Sequence, residues 1–182
     1  NTAPTALAAA HTITEDVSTP LRLTATDAQG HDLSFALRSL PAYGKLYQTL
    51  DGITKGSLIT QVPAHVHNTE GWLIYEPLND HFGADLSSFK FTAHDRWSAS
   101  TEVVVTLSIT PVDDAPVAVA DLYLLKSGSV LRGLNPVEND WNTDREVLGI
   151  TAFTQPAHGS VTQGVDGLLT YVSQPGFTGE DT

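Results

Sequence analysis

Apolar and polar residues alternate along much of this chain. The alternation is clearest in four stretches, 21–26, 33–38, 89–94 and 101–110, where apolar side chains recur at every second position. A period of two places one set of side chains on the buried face of a β-strand and the other set in solvent. Residues that favour turns interrupt the pattern about every 8–12 residues, a spacing typical of β-sandwiches. We therefore predict an all-β fold of antiparallel β-sandwiches.

Four short segments recur in the same order in the two halves of the chain. The matched pairs are NTAPTALA (1–8) with DDAPVAVA (113–120), LPAYGKL (40–46) with QPAHGSV (155–161), GWLIYEP (71–77) with GLLTYVS (167–173), and DHFGAD (80–85) with PGFTGED (175–181). This conserved order predicts two tandem copies of one structural unit. The spacing between equivalent residues falls from 112 for Pro4 and Pro116 to 96 for Tyr75 and Tyr171. The first copy therefore carries an insertion, which we place within 49–70.

The repeat boundaries predict one β-sandwich over 1–112 and a second, incomplete one over 113–182. Equivalents of the first copy's last two strands, 88–94 and 99–110, do not occur before the sequence stops. A sandwich that lacks two strands exposes apolar faces and an unpaired edge. We expect either a C-terminally shortened second repeat, or strand-swapped self-association in which a neighbouring chain supplies the missing strands.

Composition and charge narrow the classes of partner. The chain of 182 residues is 41% hydrophobic and 16% charged, so it can bury a core, and its formal net charge is −12. This charge argues against binding nucleic acid or an anionic membrane surface, both of which favour basic proteins. No apolar run approaches the roughly 20 residues of a membrane-spanning helix, so we predict no membrane insertion. There is no cysteine, which excludes disulfides and thiolate metal sites.

The motifs together resemble a known kind of repeat. P-x-x-G, L-x-Y, an F-x-F strand, V-x-V-x-L-x-I and finally VDDAPVA (112–118) follow one another in order. This series resembles the cadherin-like tandem repeats of very large bacterial surface proteins and type I-secreted (RTX) adhesins. It is also similar to the repeats of chondroitin sulphate proteoglycan-type proteins. The resemblance implies an extracellular, calcium-binding spacer or adhesive module. Asp113 stands where such repeats usually have asparagine.

The strand order predicts where acidic residues meet. Glu15 lies in the turn after the first strand, and the strand over 99–110 delivers Asp113 and Asp114 to the same end of the first unit. The second unit's loop at 138–146 carries Asp140 and Asp144. Facing acidic clusters repel each other unless a cation lies between them, and Ca²⁺ prefers six to eight oxygen ligands. We predict a Ca²⁺ site at the junction formed by Glu15, Asp113, Asp114, Asp140 and Asp144.

Other acidic and amide side chains are weaker candidates for the same role: Asp16, Asn139, Asn142, Asp80 and Asp85. The alternative is that all of these residues are solvated and form turns, which is common for Asp and Asn. Arg145, in the same loop as Asp144, would then neutralise part of the charge. Asp27 and Asp32 fall at the opposite end of the first unit, where we expect metal binding only with a preceding repeat.

Histidine and tryptophan residues offer further candidate chemistry. His65 and His67 form an H-x-H pair within a segment that we predict to be an exposed loop, and no third zinc ligand accompanies them. No serine lies in a G-x-S-x-G context, so we predict no enzyme. Trp97 and Trp141 lie in predicted loops and are candidates for stacking on a sugar or binding a protein. Trp72 falls on a strand and is expected to pack on the sheet.

These features favour a structural and adhesive module of a large secreted or surface bacterial protein, with calcium stiffening its junction. Its expected partners are neighbouring repeats of the same chain and a host-surface glycan or protein. The alternative is a carbohydrate- or protein-binding module that uses the 49–70 insertion and the loop aromatics.

Overall fold

The structure is a computed structural model that describes all residues, 1–182, and contains β-strands without helices. The chain divides into two compact units, Asn1–Val112 (unit 1) and Asp113–Thr182 (unit 2). The strands of unit 1 are β1 (Thr5–Leu7), β2 (Ala9–Thr14), β3 (Thr19–Arg22), β4 (Thr24–Thr26), β5 (Ser34–Leu37), β6 (Gly44–Gln48), β7 (Ala64–His65), β8 (Trp72–Pro77), β9 (Gly83–His94) and β10 (Val103–Thr110). Those of unit 2 are β11 (Val130–Leu134), β12 (Gly159–Gln163) and β13 (Leu169–Ser173).

Unit 1 contains three sheets. A five-stranded sheet has the order β2-β10-β9-β5-β7, a three-stranded sheet has the order β3-β8-β6, and β1 pairs with β4. All strand pairs are antiparallel except β2 and β10, which run parallel from Ala9 opposite Val105 to Thr14 opposite Thr110. This one parallel pair departs from the antiparallel pairing that we predicted. The cause is the first segment of the chain, which pairs with β4 before Ala8 and with β10 after it.

The core of unit 1 follows the alternation in the sequence. Phe89, Phe91 and Ala93 of β9 are fully buried, as predicted for one face of that strand. Leu107 of β10 and Tyr75 of β8 are also fully buried in the same cluster. Each large apolar side chain removed from water contributes about 1.5–3 kcal/mol of transfer free energy. The residues that the pattern places inward are therefore those that hold the two larger sheets together.

The 49–70 insertion is an ordered part of unit 1. The amide of Gln48 donates to the carbonyl of Ser57 (2.9 Å), and strand β7 joins the edge of the five-stranded sheet. The buried side chain of Gln48 donates to the carbonyl of His65 (2.6 Å) and accepts from the amide of His67 (2.9 Å). His65 and His67 are exposed as predicted, but the segment is not a loop throughout, because Ala64 and His65 form β7 and Val66 enters the core.

The sequence repeat has a structural counterpart in each unit. Gly44 lies against the ring of Tyr75, and Gly159 lies against the ring of Tyr171, so that neither glycine leaves room for a Cβ atom. The hydroxyl of Tyr75 donates to the carbonyl of Tyr43, and that of Tyr171 donates to the carboxylate of Asp181 (2.8 Å). The three-stranded order β11-β13-β12 of unit 2 matches β3-β8-β6 of unit 1. The recurring P-x-x-G and tyrosine motifs therefore encode one glycine–aromatic contact.

Unit 2 has a much smaller buried core. Leu169 is its one buried hydrophobic residue, whereas Leu122, Leu124, Val147 and Val165 are at least 81% exposed. The three strands of the unit leave most of its apolar side chains in solvent.

Candidate functional site

Glu15 lies after β2, beside the last residues of unit 1. Its side chain is fully buried, its backbone amide donates to the carbonyl of Thr110 (3.0 Å), and its Oε1 accepts from the amide of Val112 (2.7 Å). Its Oε2 is buried without a hydrogen-bond partner. A buried carboxylate oxygen without a donor is unfavourable, so this atom has the chemistry of a cation ligand.

Asp144 has a similar environment within unit 2. Its Oδ2 accepts from the amide of Asp114 (2.7 Å), and its Oδ1 is buried without a hydrogen-bond partner. The side chain of Asn142 shapes this loop by accepting from the amide of Asp144 (3.1 Å) and donating to the carbonyl of Glu146 (3.2 Å). Each unit therefore contains a predicted ligand that holds the connecting segment with one oxygen and has the other unpaired.

The remaining predicted ligands of unit 2 differ in their roles. Asp140 Oδ1 accepts from the amide of Val119 (2.8 Å), next to a backbone bridge between Val117 and Trp141. Asp113 and Asn139 are exposed. Asp140 therefore helps to attach the first residues of unit 2 to the acidic loop, which gives it a structural role.

The weaker candidates of unit 1 have an unusual backbone conformation, Asp16 and Asp80 in turns and Asp85 near the start of β9. Asp16, Asp80 and Asp85 all have positive φ angles (61°, 61° and 50°) and are exposed. Asp tolerates this left-handed conformation better than most residues because its short side chain forms local hydrogen bonds. The positive φ angle therefore gives each of these aspartates a backbone role, and whether any of them binds a metal stays a prediction.

The structure also brings Asp27, which we expected to bind metal only with a preceding repeat, together with two residues that the sequence did not single out, His31 and Asp95. His31 Nδ1 lies 3.2 Å from Asp27 Oδ1 and 3.9 Å from Asp95 Oδ2. These residues meet because β5 pairs with β9, with Ser34 opposite His94. This register places Asp95 beside the loop that precedes Ser34. The antiparallel alternation of 33–38 and 89–94 permits that pairing but does not fix its register.

The carboxylate of Asp95 is held firmly in its ionised form. Burial acts to raise its pKa, but hydrogen bonds from Asn1 Nδ2 (2.9 Å) and from the amides of Trp97 (2.7 Å) and Ser98 (2.6 Å) outweigh burial and lower the pKa to about 2. Such hydrogen bonds favour the charged form because their donors are already oriented toward the oxygens. The side chain is therefore a fixed anion in a loop that is otherwise exposed.

The candidate ligand-binding aromatics are exposed. Trp97 is 62% exposed and Trp141 is 67% exposed. The ring of Trp97 lies 4.7 Å from the ring of His31. Trp72, in contrast, is partly buried on β8 and receives the guanidinium of Arg22 at 5.6 Å from its ring centre. The first two tryptophans thus keep free aromatic surface, and the third packs on its sheet as predicted.

The H-x-H pair lies on strand β7 and just after it. His65 lies on β7, with its ring centre 6.5 Å from that of His94. Burial, Arg38 and His65 lower the pKa of His94, which favours its neutral form. No cluster of three potential ligands includes His65 or His67.

Comparisons with solved structures give distant similarities. The chain is similar to protocadherin gamma B7 extracellular cadherin domains 1–4, with 14% identity and a TM-score of 0.47, over 94% of this chain and 41% of that chain. It is also similar to SGBP-B of the Bacteroides ovatus mixed-linkage glucan utilization locus, solved with a mixed-linkage heptasaccharide. That match has 12% identity and a TM-score of 0.32, over 99% of this chain and 42% of that chain. The chain therefore spans about two fifths of each matched chain.

No curated protein matches the chain. None of its secondary-structure elements is a helix with the length and apolar character needed to cross a membrane. A model of the bacterial Ig domain matches residues 1–108 and matches again over 113–182. These two matches, together with the strands described above, confirm the prediction of tandem all-β repeats of a kind found in bacterial proteins. On this evidence the chain belongs to the bacterial Ig domain family.

Proposed function

We propose that the chain is a structural and adhesive repeat module of a large extracellular or surface protein, and that Ca²⁺ stiffens the junction between its units. Bacterial Ig domains are typically extracellular and structural, which supports this role. A formal charge of −12 keeps an exposed array soluble and favours binding of cations. The proposed ligands are Glu15, Asp113, Asp114, Asp140 and Asp144.

The observation that carries the proposal is the pair of buried, unpartnered oxygens, Glu15 Oε2 and Asp144 Oδ1. In water each oxygen would accept hydrogen bonds, so leaving it buried and unpaired costs about 1–3 kcal/mol or more for a charged group. A hard divalent cation removes this cost because carboxylate oxygens are its preferred ligands. These two buried oxygens therefore favour a Ca²⁺ site over the alternative that the acidic residues are simply solvated.

The covalent chain links the two carboxylates. Glu15 binds the amide of Val112 in unit 1, and Asp144 binds the amide of Asp114 in unit 2. Two residues of extended chain span at most about 7 Å. Asp113, which lies between these two amides, adds a further carboxylate. A cation that binds ligands from both units would restrict the connecting segment without any other contact.

Calcium removal is expected to lower the stability of the chain. An extracellular module that binds Ca²⁺ with a dissociation constant of about 10⁻⁴–10⁻³ M gains about 1.4–2.7 kcal/mol at ~10 mM Ca²⁺. Melting curves in Ca²⁺ and in chelator measure this difference. Asp144→Asn should abolish most of it because the amide keeps the size of the side chain and removes its charge.

The matched control is Asp121→Asn, which changes an exposed aspartate of unit 2 outside the proposed ligand set. This variant should keep the full response to Ca²⁺. Identical melting midpoints for the unsubstituted chain in Ca²⁺ and in chelator would eliminate the calcium role.

A second candidate function is binding of a carbohydrate or a protein, favoured by the exposed rings of Trp97 and Trp141. Leu50 and Ile53, at the start of the insertion, are more than 80% exposed and extend the available apolar surface. Because the insertion contributes Val66 to the core, its deletion is a poor test. Point variants are better: a glycan array or a pull-down that loses its signal with Trp97→Ala, Trp141→Ala or Leu50→Ser would support this function. A signal that survives all three would argue against it.

A further inference from the structure

A cluster of mixed ligands lies within unit 1, apart from the residues of the proposed calcium site. Asp27 and His31 belong to the loop between β4 and β5, and Asp95 follows β9. Their potential ligand atoms all lie within 4.8 Å of one another. All three residues come from one unit, so the cluster is complete without a neighbouring repeat.

Two atoms of the cluster are buried without a hydrogen-bond partner, Asp27 Oδ2 and His31 Nδ1. The side chain of Asp27 is 1% exposed, and its Oδ1 already accepts from the amides of Gln29 (2.9 Å) and His31 (3.0 Å). Its Oδ2 has no such donor. His31 Nδ1 lies 3.2 Å from Asp27 Oδ1, but the contact lacks hydrogen-bond geometry. Buried polar atoms of native proteins are nearly always paired, so these two orphan atoms point to a missing ligand.

The spacing of these atoms suits a small divalent ion. Ligands about 2.0–2.2 Å from a tetrahedral zinc ion lie roughly 3.4 Å from one another. His31 Nδ1 lies 3.2 Å from Asp27 Oδ1 and 3.9 Å from Asp95 Oδ2, and one ligand atom of each residue lies within 4.8 Å of the other two. An imidazole with two carboxylates favours Zn²⁺, Co²⁺ or Ni²⁺, whereas Ca²⁺ takes oxygen ligands and more of them.

We propose that Asp27, His31 and Asp95 form a site for a divalent transition-metal ion within unit 1. The side chain of His31 is 31% exposed, which gives the ion access and leaves room for water to complete its coordination. The inference does not depend on the calcium proposal, since the two sites share no residue.

The carboxylates of the site are positioned before any ion arrives. Asp95 is held by the amides of Trp97 and Ser98, by Ser98 Oγ and by Asn1 Nδ2, and Asp27 is held by the amides of its own loop. Contacts of this kind fix the orientation of metal ligands, and their loss typically weakens binding about 10–100-fold. Ser98→Ala should therefore weaken metal binding by about tenfold or more without removing a ligand.

Metal titration of the full chain tests the site. We expect one equivalent of Zn²⁺ to bind by calorimetry, and one equivalent of Co²⁺ or Ni²⁺ to quench the emission of Trp97, whose ring contacts that of His31. Trp97→Phe identifies the quenched signal. His31→Ala and the isosteric Asp27→Asn should each remove the bound equivalent, whereas His67→Ala, at an exposed histidine outside the cluster, should keep it.

Circular dichroism of each variant establishes that it is folded before titration. If one ligand variant fails to fold, the other ligand variant and Ser98→Ala decide the question. An unsubstituted chain that binds no Zn²⁺ or Co²⁺ would overturn the proposal. So would binding that keeps the same stoichiometry and affinity in the folded ligand variants, because the ion would then lie at another histidine.

Discussion

Replacing Phe91 by alanine is expected to cost about 3–5 kcal/mol of the free energy of unfolding of unit 1. The side chain is fully buried, and its ring centre lies 6.0 Å from that of Phe35 in a tilted arrangement. The substitution would leave a cavity in the core. The strand that carries Phe91, β9, is held by β5 on one side and by β10 on the other, so the backbone cannot readily move to fill that cavity. Urea denaturation followed by tryptophan emission measures the loss.

Phe153→Ala is the matched control. Phe153 belongs to unit 2 and is 40% exposed, so its truncation leaves no enclosed cavity. Substitutions of this kind usually change stability by less than about 1 kcal/mol. Equal losses in the two variants would contradict the placement of Phe91 at the centre of the core.

Gln48→Leu is expected to destabilise unit 1 by about 2–4 kcal/mol, although it replaces a polar side chain by an apolar one of similar size. The substitution removes both hydrogen bonds by which the Gln48 amide holds the backbone of His65 and His67. Each partly buried backbone group that loses its partner costs about 1–3 kcal/mol. Urea denaturation measures the total, and limited proteolysis should show earlier cleavage within 49–70 because local opening becomes easier.

The control for this change is Gln61→Leu, at an exposed glutamine of the same insertion. This variant also replaces glutamine by leucine, but at a side chain that makes no hydrogen bond to a buried backbone group. If Gln61→Leu destabilises the unit as much as Gln48→Leu does, added surface apolarity rather than the lost hydrogen bonds would explain both results.

The sequence predicts the strands of unit 1 correctly wherever a strand buries one face and exposes the other. Phe89, Phe91 and Ala93 lie inside and Lys90 lies outside, because a pleated strand turns successive side chains to opposite faces. The tandem organisation was equally visible, because the contact of a glycine with a tyrosine ring requires the same two residue types in each unit. These features depend on local chemistry, which the sequence displays directly.

Local sequence patterns do not predict the structure of the 49–70 insertion or the meeting of Asp27, His31 and Asp95. The partners of Gln48 lie 17 and 19 residues further along the chain, and no periodic pattern marks a polar residue that becomes buried by holding a distant backbone. Asp95 meets Asp27 and His31 only because β5 and β9 pair in one particular register. Register depends on packing across the whole sheet, so a local reading of the sequence does not determine it.

The parallel pairing of β2 with β10 has a mechanical consequence for unit 1. The chain enters this pair at Ala9 and leaves it at Thr110, which lie at opposite ends of two strands that run in the same direction. Tension applied to the two termini of the unit would therefore pull the strands along their length in opposite directions. Six residue pairs would bear that load in shear together, instead of separating one after another as they would if the strands were peeled apart.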